Sequence, residues 1–401
     1  MNKPKIRFKG FEGEWKRQSL GDISASFSGG TPAVSVSDYY GGNIPFIRSG
    51  EIHENRTQLY ITQAGLNNSS AKIVEKGTIL YALYGATSGD VGFSKLRGAI
   101  NQAILAIEPT KKYIDRIFLV GFLQSYKHRI INELLQGGQG NLSGSLVKKI
   151  LLAFPSLPEQ RALASYFTSL DAQIAASTSR LSSLKQIKAA SLLNMFPQKG
   201  ETVPRVRFKG FQGEWKKVKI GDVAPLTGGF AFQSGQFKTS GVPIIRISNI
   251  LSSGIVGGDF VYYNEFKGDS EFRLYKGDVV IAMSGATTGK VATFEANDFG
   301  YQNQRVGKFS RTNLVNYELL SKLVSAPNFQ KKIISKLTSS AQPNASSKDI
   351  DSIDLVVPEE TEEQRAIASY FTALDAQITL HRERLEKLKQ IKAACLEKMF
   401  A

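Results

Sequence analysis

Residues 160–174 read QRALASYFTSLDAQI, and residues 364–378 read QRAIASYFTALDAQI. The match extends in both directions. RLSSLKQIKAASLLNMF at 180–196 returns as RLEKLKQIKAACLEKMF at 384–400, and PKIRFKGFEGEWK at 4–16 returns as PRVRFKGFQGEWK at 204–216. A period of about two hundred residues is far too long for a solenoid. Each copy is the size of a domain followed by a long helix, so the chain is read as two pseudo-symmetric halves.

The helices are legible in the pattern. Neither Pro nor Gly occurs from Glu159 to Phe196 or from Glu362 to Phe400, and Pro158 and Pro197 bracket the first stretch. In the second stretch residues step by three and four through Phe371, Leu374, Ile378, His381, Leu385, Leu388, Lys392, Cys395 and Met399. The first repeats this at Phe167, Leu170, Ile174, Ser177, Leu181, Leu184, Lys188, Ser191 and Met195. This is a heptad seam whose polar breaks coincide in the two copies. It predicts an intramolecular antiparallel coiled coil of helices roughly 55 Å long. The competing reading is two amphipathic helices, each folded onto its own domain.

Between these helices the texture changes. Residues 17–156 and 217–358 hold short apolar runs, Ile44–Ile47, Thr78–Tyr84, Ile100–Ile107, Val242–Ile247 and Asp278–Met283, separated by Gly, Ser, Asn and Pro clusters. They read as strands, with helices over Ile114–Leu135 and Tyr317–Leu337. The expected fold class is therefore α+β: two pseudo-symmetric α/β domains, residues 1–157 and 198–361, separated by two long helices, residues 158–197 and 362–401.

Composition narrows the function. The 401 residues carry 51 Lys and Arg against 35 Asp and Glu, a net charge of +16. Residues 1–157 contribute eight of that excess and residues 198–361 five, so the charge sits mainly in the divergent regions. Such a surplus points to a polyanion, nucleic acid first. No apolar run approaches the ~18 residues of a membrane span, and the N-terminus lacks a secretory apolar core. The one cysteine, Cys395, excludes a disulfide framework and a multi-cysteine zinc site. A cytoplasmic location is expected.

Comparing the copies separates two jobs. The matching set includes IPFIR at 44–48 against VPIIR at 242–246, GATSG at 85–89 against GATTG at 285–289, Asn101-Gln102 against Asn303-Gln304, and QGNLS at 139–143 against QPNAS at 342–346. The differing set is Gly29–Gly42 against Gly228–Gly241, and the segments after Arg48 and Arg246. These are rich in side chains that bond base edges and phosphates. The DNA-contact candidates are Thr31, Tyr39, Tyr40, Arg48, Ser49, Tyr84, Thr87 and Lys95 in the first copy. In the second they are Phe232, Gln233, Arg246, Ser248, Asn249, Thr287, Thr288, Lys290 and Arg305.

Taken in order and twice over, the RFKGFxGEWK opening, the Pro-containing strand, the Gly-Ala-Thr turns, the QGNLS-type loop and the EQRAxASYF helix start resemble the DNA-specificity subunits of Type I restriction–modification systems. The resemblance covers essentially the whole chain. It implies two target-recognition domains reading a bipartite duplex target, with the gap between half-sites fixed by helix length. It also implies docking of two methyltransferase subunits and then of restriction subunits. S-adenosylmethionine, ATP and Mg²⁺ are expected in those partners, none in this chain. Near-identical sequence suits two copies of one partner, so Gln160, Arg161, Tyr166, Phe167, Gln364, Arg365, Tyr370 and Phe371 are the partner-docking candidates. Phe8, Phe11, Trp15, Phe208, Phe211 and Trp215 read as anchors of each domain's first strand, or as part of that docking surface.

Enzyme readings find little to stand on. There is no Asn/Asp-Pro-Pro-aromatic stretch for methylating a base amino group. SGATTGK at 284–290 has three residues between its glycines and Val291 after its lysine, so it is no phosphate loop. Asp259, Glu265 and Lys267 make a poor metal-nuclease pattern, and His53, His128 and His381 are scattered. The alternative classes are a self-sufficient DNA nuclease or methyltransferase with duplicated domains, and a coiled-coil adaptor without a DNA role.

Overall fold

The computed structural model describes residues 3–135, 142–339 and 344–400. The chain divides into two compact units, Met1–Thr178 with Glu383–Ala401, and Ser179–Arg382. Each long helix therefore gives its first part to one unit and its last part to the other.

Unit 1 contains β1 (Lys16–Ser19), β2 (Ser24–Ser28), β3 (Tyr40–Ile47), β4 (Tyr60–Ile61), β5 (Lys72–Val74), β6 (Ile79–Ala82), β7 (Val91–Phe93), β8 (Gly98–Ile100), β9 (Ile104–Pro109), helix α1 (Arg116–Leu135), β10 (Leu151–Phe154) and the first part of α2 (Leu157–Asn194). Two four-stranded sheets have the orders β2-β9-β6-β7 and β4-β3-β8-β5, and β1 pairs with β10. Unit 2 repeats the plan with β11 (Lys216–Lys219), β12 (Leu226–Gly228), β13 (Val242–Ile245), β14 (Val261–Tyr263), β15 (Arg273–Leu274), β16 (Val279–Ala282), β17 (Val291–Thr293), β18 (Gly300–Gln302) and β19 (Val306–Phe309). Then come α3 (Tyr317–Ser325), α4 (Pro327–Ser339), β20 (Asp354–Val357) and α5 (Thr361–Met399). Its sheets are ordered β12-β19-β16-β17 and β14-β13-β18-β15, with β11 on β20.

Two expected elements are divided. The apolar run 100–107 makes two strands, β8 and β9, because Asn101 folds the chain between them. The helix expected over 317–337 is broken before Pro327, whose ring cannot follow a helical residue without a clash.

Arg7 ties the opening segment of unit 1 to the start of α2. Its guanidinium donates to both oxygens of Glu159, at 2.7 and 2.6 Å, and to the carbonyls of Gly13 and Glu12 at 2.7 and 2.8 Å. The carboxylate is 2% exposed. Arg207 does the same in unit 2, with Glu363 at 2.7 and 2.8 Å and the carbonyls of Gly213 and Gln212 at 2.6 and 2.9 Å. Hydrogen bonding to the carboxylate holds both guanidiniums above their ordinary range. Behind each clasp a tryptophan, Trp15 or Trp215, is buried in its unit's main core. Trp15 and Trp215 are thus framework, with Phe8 and Phe208 packed edge-on to Tyr166 and Tyr370.

In both units the helices pack head to tail. In unit 1 the Tyr166 hydroxyl lies 3.4 Å from Cys395 Sγ, Lys392 pairs with Asp171 at 2.6 Å, and Phe400 stacks on Phe167 at 5.6 Å. In unit 2 Ser191 Oγ lies 2.9 Å from the Tyr370 hydroxyl, Lys188 pairs with Asp375 at 2.6 Å, and Phe196 stacks on Phe371 at 5.7 Å. The polar breaks at 188, 191, 392 and 395 therefore face polar partners, and the seam is an antiparallel coiled coil. Every seam residue is buried or half-buried. Among the described residues no helix is long and apolar enough to cross a membrane, and no group of His, Cys, Asp and Glu could hold a metal ion.

Two measurements test this framework. Glu159→Gln leaves a largely buried guanidinium uncompensated and is expected to lower unfolding free energy by about 3 kcal/mol in urea titrations, as is Glu363→Gln. Asp375 behaves differently because it titrates. Burial opposes its ionisation, but Lys322 at 2.7 Å and Lys188 outweigh burial and hold it below the ordinary carboxylate range. A depressed folded pKa stabilises fully above the unfolded value of about 4, and the gain is lost as pH falls through the folded one. Asp375→Asn should thus cost about 1 kcal/mol at pH 7, and the gap from the parent should close toward pH 3.

Candidate nucleic-acid interface

The repeated motifs that lie far apart in sequence converge at one end of each unit's sheets. β3 and β8 run parallel with Ile47 beside Ile100, and β13 and β18 likewise with Ile245 beside Gln302. Strands of a parallel pair end at the same level, so Arg48 leaves beside Asn101 and Arg246 beside Asn303. The Asn101 amide donates to the Ile47 carbonyl at 3.4 Å and that of Asn303 to Ile245 at 3.1 Å.

β6 and β16 deliver the Gly-Ala-Thr turns to the same place. The Gly89 and Gly289 amides close each turn on the Ala82 and Ala282 carbonyls at 2.9 and 2.8 Å. Gly85 and Gly285, at φ 78° and 71°, sit in the left-handed region that glycine adopts without a steric cost. Just before the turn, the Leu83 amide donates to Ala103 at 2.8 Å and its carbonyl accepts from Leu142 at 3.0 Å. Met283 is held the same way by Arg305 and Ala345, at 2.9 and 2.8 Å. The QGNLS-type loop therefore docks its described residues here, while 139–141 and 342–343 lie outside the described residues. In unit 2 Thr287 Oγ1 also donates to the Ile247 carbonyl at 3.3 Å, joining the turn to the segment after Arg246.

Side chains at this convergence differ between the units. Glu51 accepts from the Arg48 amide at 3.1 Å and pairs with the Arg48 guanidinium at 3.0 Å. It also accepts from Thr57 Oγ1 at 3.0 Å and the Gln58 amide at 3.2 Å. Its hydrogen bond to Glu51 raises Arg48 above its ordinary range; burial pushes the Glu51 carboxyl up, but these donors outweigh it and leave it lowered. Asn249 is the counterpart. It accepts from the Arg246 amide at 3.0 Å and donates to the carbonyls of Gly257 and Asp259 at 3.1 and 3.0 Å. Both residues pin the start of the next strand pair. The sequence reading missed Glu51 and the bracing role of Asn249, although each stands three residues after its arginine.

Of the DNA-contact candidates, Arg48, Ser49, Tyr84, Thr87, Arg246, Ser248, Thr287, Thr288, Lys290 and Arg305 belong to this cluster. Thr31 joins it by donating to Gln102 Oε1 at 2.5 Å. Tyr39 and Tyr40 stand at the other end of β3, where the Tyr40 hydroxyl donates to the Pro32 carbonyl at 2.7 Å. Lys95 is exposed beyond the far end of β7, beside Ser94, whose amide bonds the Thr78 carbonyl before β6 begins. Gln233 is exposed and accepts from Gln236 at 3.1 Å. Two candidates are corrected. Phe232 is 8% exposed, packed 5.0 Å from both Phe230 and Tyr263, and Asn249 is 1% exposed with its amide spent on backbone. Neither presents its side chain to a ligand.

The docking candidates need a similar correction. Gln160 is fully buried; its Oε1 accepts from the Asp115 amide at 2.7 Å and its Nε2 donates to the carbonyls of Tyr113 and Pro155. Gln364 bonds the Asn316 amide and the Pro358 carbonyl in the same way. Phe167 and Phe371 lie in the cores, and Tyr166 and Tyr370 face the opposite helix. Arg161 and Arg365 alone of that set are exposed. In unit 1 Arg161 lines a shallow groove of about 470 Å³ with Ser165, Thr168, Asp115 and Ile117.

A fold present twice, each copy carrying a turn cluster at one sheet end and bound to a long helix, defines a duplicated recognition scaffold. The chain belongs to the family described as the Type I restriction modification DNA specificity domain, whose model matches residues 12–186 and again 212–390. It is the DNA-specificity component of such a system, with two target-recognition domains, and is not its catalyst. Among curated relatives, the Type I restriction enzyme MjaVIII specificity subunit of Methanocaldococcus jannaschii is 21% identical over 393 residues, covering 94% of this chain and 90% of that one. The EcoBI specificity subunit of Escherichia coli is 28% identical over 179 residues, 44% of this chain and 36% of its own. The fold matches the crystal structure of a Type I system S subunit from M. genitalium, with a TM-score of 0.66, 16% identity and coverage of 100% and 99%. It also matches a chain from a structure of type I system assembly and conformational transition, at 0.56, 16% identity and coverage of 96% and 97%.

Removing the Asn249 brace should be costly. Asn249→Ala leaves the Arg246 amide without its side-chain acceptor and the Gly257 and Asp259 carbonyls without their side-chain donor. An expected loss of about 2–3 kcal/mol would be read from thermal or urea unfolding.

Proposed function

We propose that each unit reads one half of a bipartite duplex target with its turn cluster, and that the number of helix residues sets the tolerated gap between halves. The observation that carries this reading is the convergence of four repeated motifs at one sheet end in both units, with side chains diverging there. Lys and Arg around each cluster seat on phosphates, a contribution that weakens steeply with salt. Loop side chains then discriminate base edges, each good bidentate pair contributing roughly 1–3 kcal/mol.

Two copies of a methyltransferase subunit dock on surfaces that the chain also carries twice. Arg161, Ser165, Thr168 and Ser169 on α2, and Arg365, Ser369, Thr372 and Ala373 on α5, are exposed at equivalent positions and suit this role. Restriction subunits join that assembly. S-adenosylmethionine, ATP and Mg²⁺ enter through the partners, where the chemistry takes place, and the complex works in the cytoplasm.

Methylome sequencing of cells expressing this chain with its methyltransferase partner should return a two-part motif. Inserting one heptad into α2 should lengthen the gap while leaving both half-sites unchanged; altered half-sites would sink the helix-ruler assignment. Cleavage or methyl transfer by the purified chain alone, given DNA, Mg²⁺ and S-adenosylmethionine, would overturn the division of labour.

A further inference from the structure

The two turn clusters share a backbone and differ in charge. Three equivalent positions carry the difference. Glu51, which neutralises Arg48, is replaced by Asn249 beside Arg246. Asp90, whose carboxylate pairs with Lys127, is replaced by Lys290. Ala103 is replaced by Arg305. The equivalences rest on hydrogen bonds. Ala82 and Ala282 donate to the carbonyls of Asp90 and Lys290 at 2.8 and 2.9 Å, while Leu83 and Met283 donate to those of Ala103 and Arg305 at 2.8 and 2.9 Å. Losing one negative charge at 249, exchanging negative for positive at 290 and gaining a positive at 305 makes these three positions together four charges more positive in unit 2.

Arg246 shows the consequence directly. Asn249 satisfies its backbone amide, as Glu51 does for Arg48, but offers the guanidinium no carboxylate. The Arg246 Nε is buried and, among the described residues, has no hydrogen-bond acceptor. A buried donor on a charged group without an acceptor is costly, and the Arg246 guanidinium lacks the internal partner that holds Arg48. In Arg48 the same atom is satisfied, since Nε donates to Glu51 at 3.3 Å while Nη2 donates to Glu51 and Gln58 at 3.0 Å each.

We infer that the two recognition domains divide the work of binding: in unit 2 Arg246, with Lys290 and Arg305, takes acceptor oxygens or nitrogens of the DNA directly, whereas Arg48 in unit 1 is a positioning residue that braces its loop through Glu51. This rests on the reading that the turn clusters face DNA. The chemistry recognised is a pair of hydrogen-bond acceptors, supplied by a guanine edge or by a phosphate.

The test uses the full chain purified with its methyltransferase partner, on duplex oligonucleotides carrying the motif that methylome sequencing returns. Single base-pair replacements in the half-site read by unit 2 complete the set. Arg246→Gln is expected to lower affinity roughly 5- to 150-fold, the span of one lost bidentate contact. Arg48→Gln should lower the unfolding temperature, with an effect on affinity at least about fivefold smaller. If Arg246→Lys retains affinity for every duplex, the acceptor is a phosphate; if it loses discrimination at one base pair, the acceptor is a guanine edge. Lys290→Asp and Arg305→Ala install unit 1's own residues, which the shared backbone accommodates. Each should flatten the salt dependence of binding by about one phosphate contact. Parental affinity and salt dependence in Arg246→Gln, Lys290→Asp and Arg305→Ala, or equal losses in Arg48→Gln and Arg246→Gln, would overturn the inference. A parent complex that binds every duplex alike would instead defeat the DNA-reading assignment itself.

Discussion

A guanidinium clasped by a buried carboxylate, made once in each unit, is the constraint on which the remaining structure depends. Arg7 and Glu159 are separated by 152 residues, and Arg207 and Glu363 close the second unit over 156. A pair this deep gains little net stability, because desolvating two charges offsets most of their attraction. Its effect is selective. The guanidinium meets both oxygens of Glu159, and its remaining donors are taken by the Gly13 and Glu12 carbonyls. The next residue, Gln160, spends its amide on the start of α1 and the exit of β10. Together they fix where the helix begins and what it leaves from.

The seam then has to choose a register, and its polar residues do so. Lys188 meets Asp375 and Lys392 meets Asp171, each at 2.6 Å. Sliding the helices of unit 2 by one heptad would place Lys188 opposite Ala368 or Arg382, removing the carboxylate or replacing it with a like charge. Sliding those of unit 1 would set Lys392 opposite Ala164 or Thr178. An all-apolar seam would tolerate such slips, whereas a lysine inside it tolerates one alignment. The stacked pairs Phe167–Phe400 and Phe196–Phe371 fix the same register from the helix ends.

Periodicity made much of this legible in the sequence. The helices, the seam, its polar breaks and the positions of the central strands follow from apolar spacing and from glycine and proline punctuation. What spacing could not show was where a polar or aromatic side chain points. Gln160, Phe167, Gln364 and Phe371 are near-identical in the two copies, which fits a twice-used partner surface. It fits equally a twice-used interior, and their burial decides for the interior. Asn249 and Phe232 failed as DNA contacts for the same reason: a residue in a loop of polar composition can still be what holds the loop. Arg7 and Glu159 were both inside quoted repeats, but nothing local links residues so far apart.

Duplication within one chain also separates what must stay from what can vary. The bonds that place each turn cluster, from residues 82, 83 and 101 in unit 1 and from 282, 283 and 303 in unit 2, run between backbone atoms. Any residue but proline can make them. Aspartate and lysine therefore occupy one site at 90 and 290, and alanine and arginine another at 103 and 305, without moving the frame. The residues after Arg48 and Arg246 differ more deeply, because the one side chain that braces each loop does so by opposite bonds: Glu51 accepts from Thr57 and the Gln58 amide, whereas Asn249 donates to the Gly257 and Asp259 carbonyls. A scaffold held by main-chain bonds can exchange charges at the turn cluster while its fold stays constant, which is how one backbone carries two different sets of side chains in a single chain.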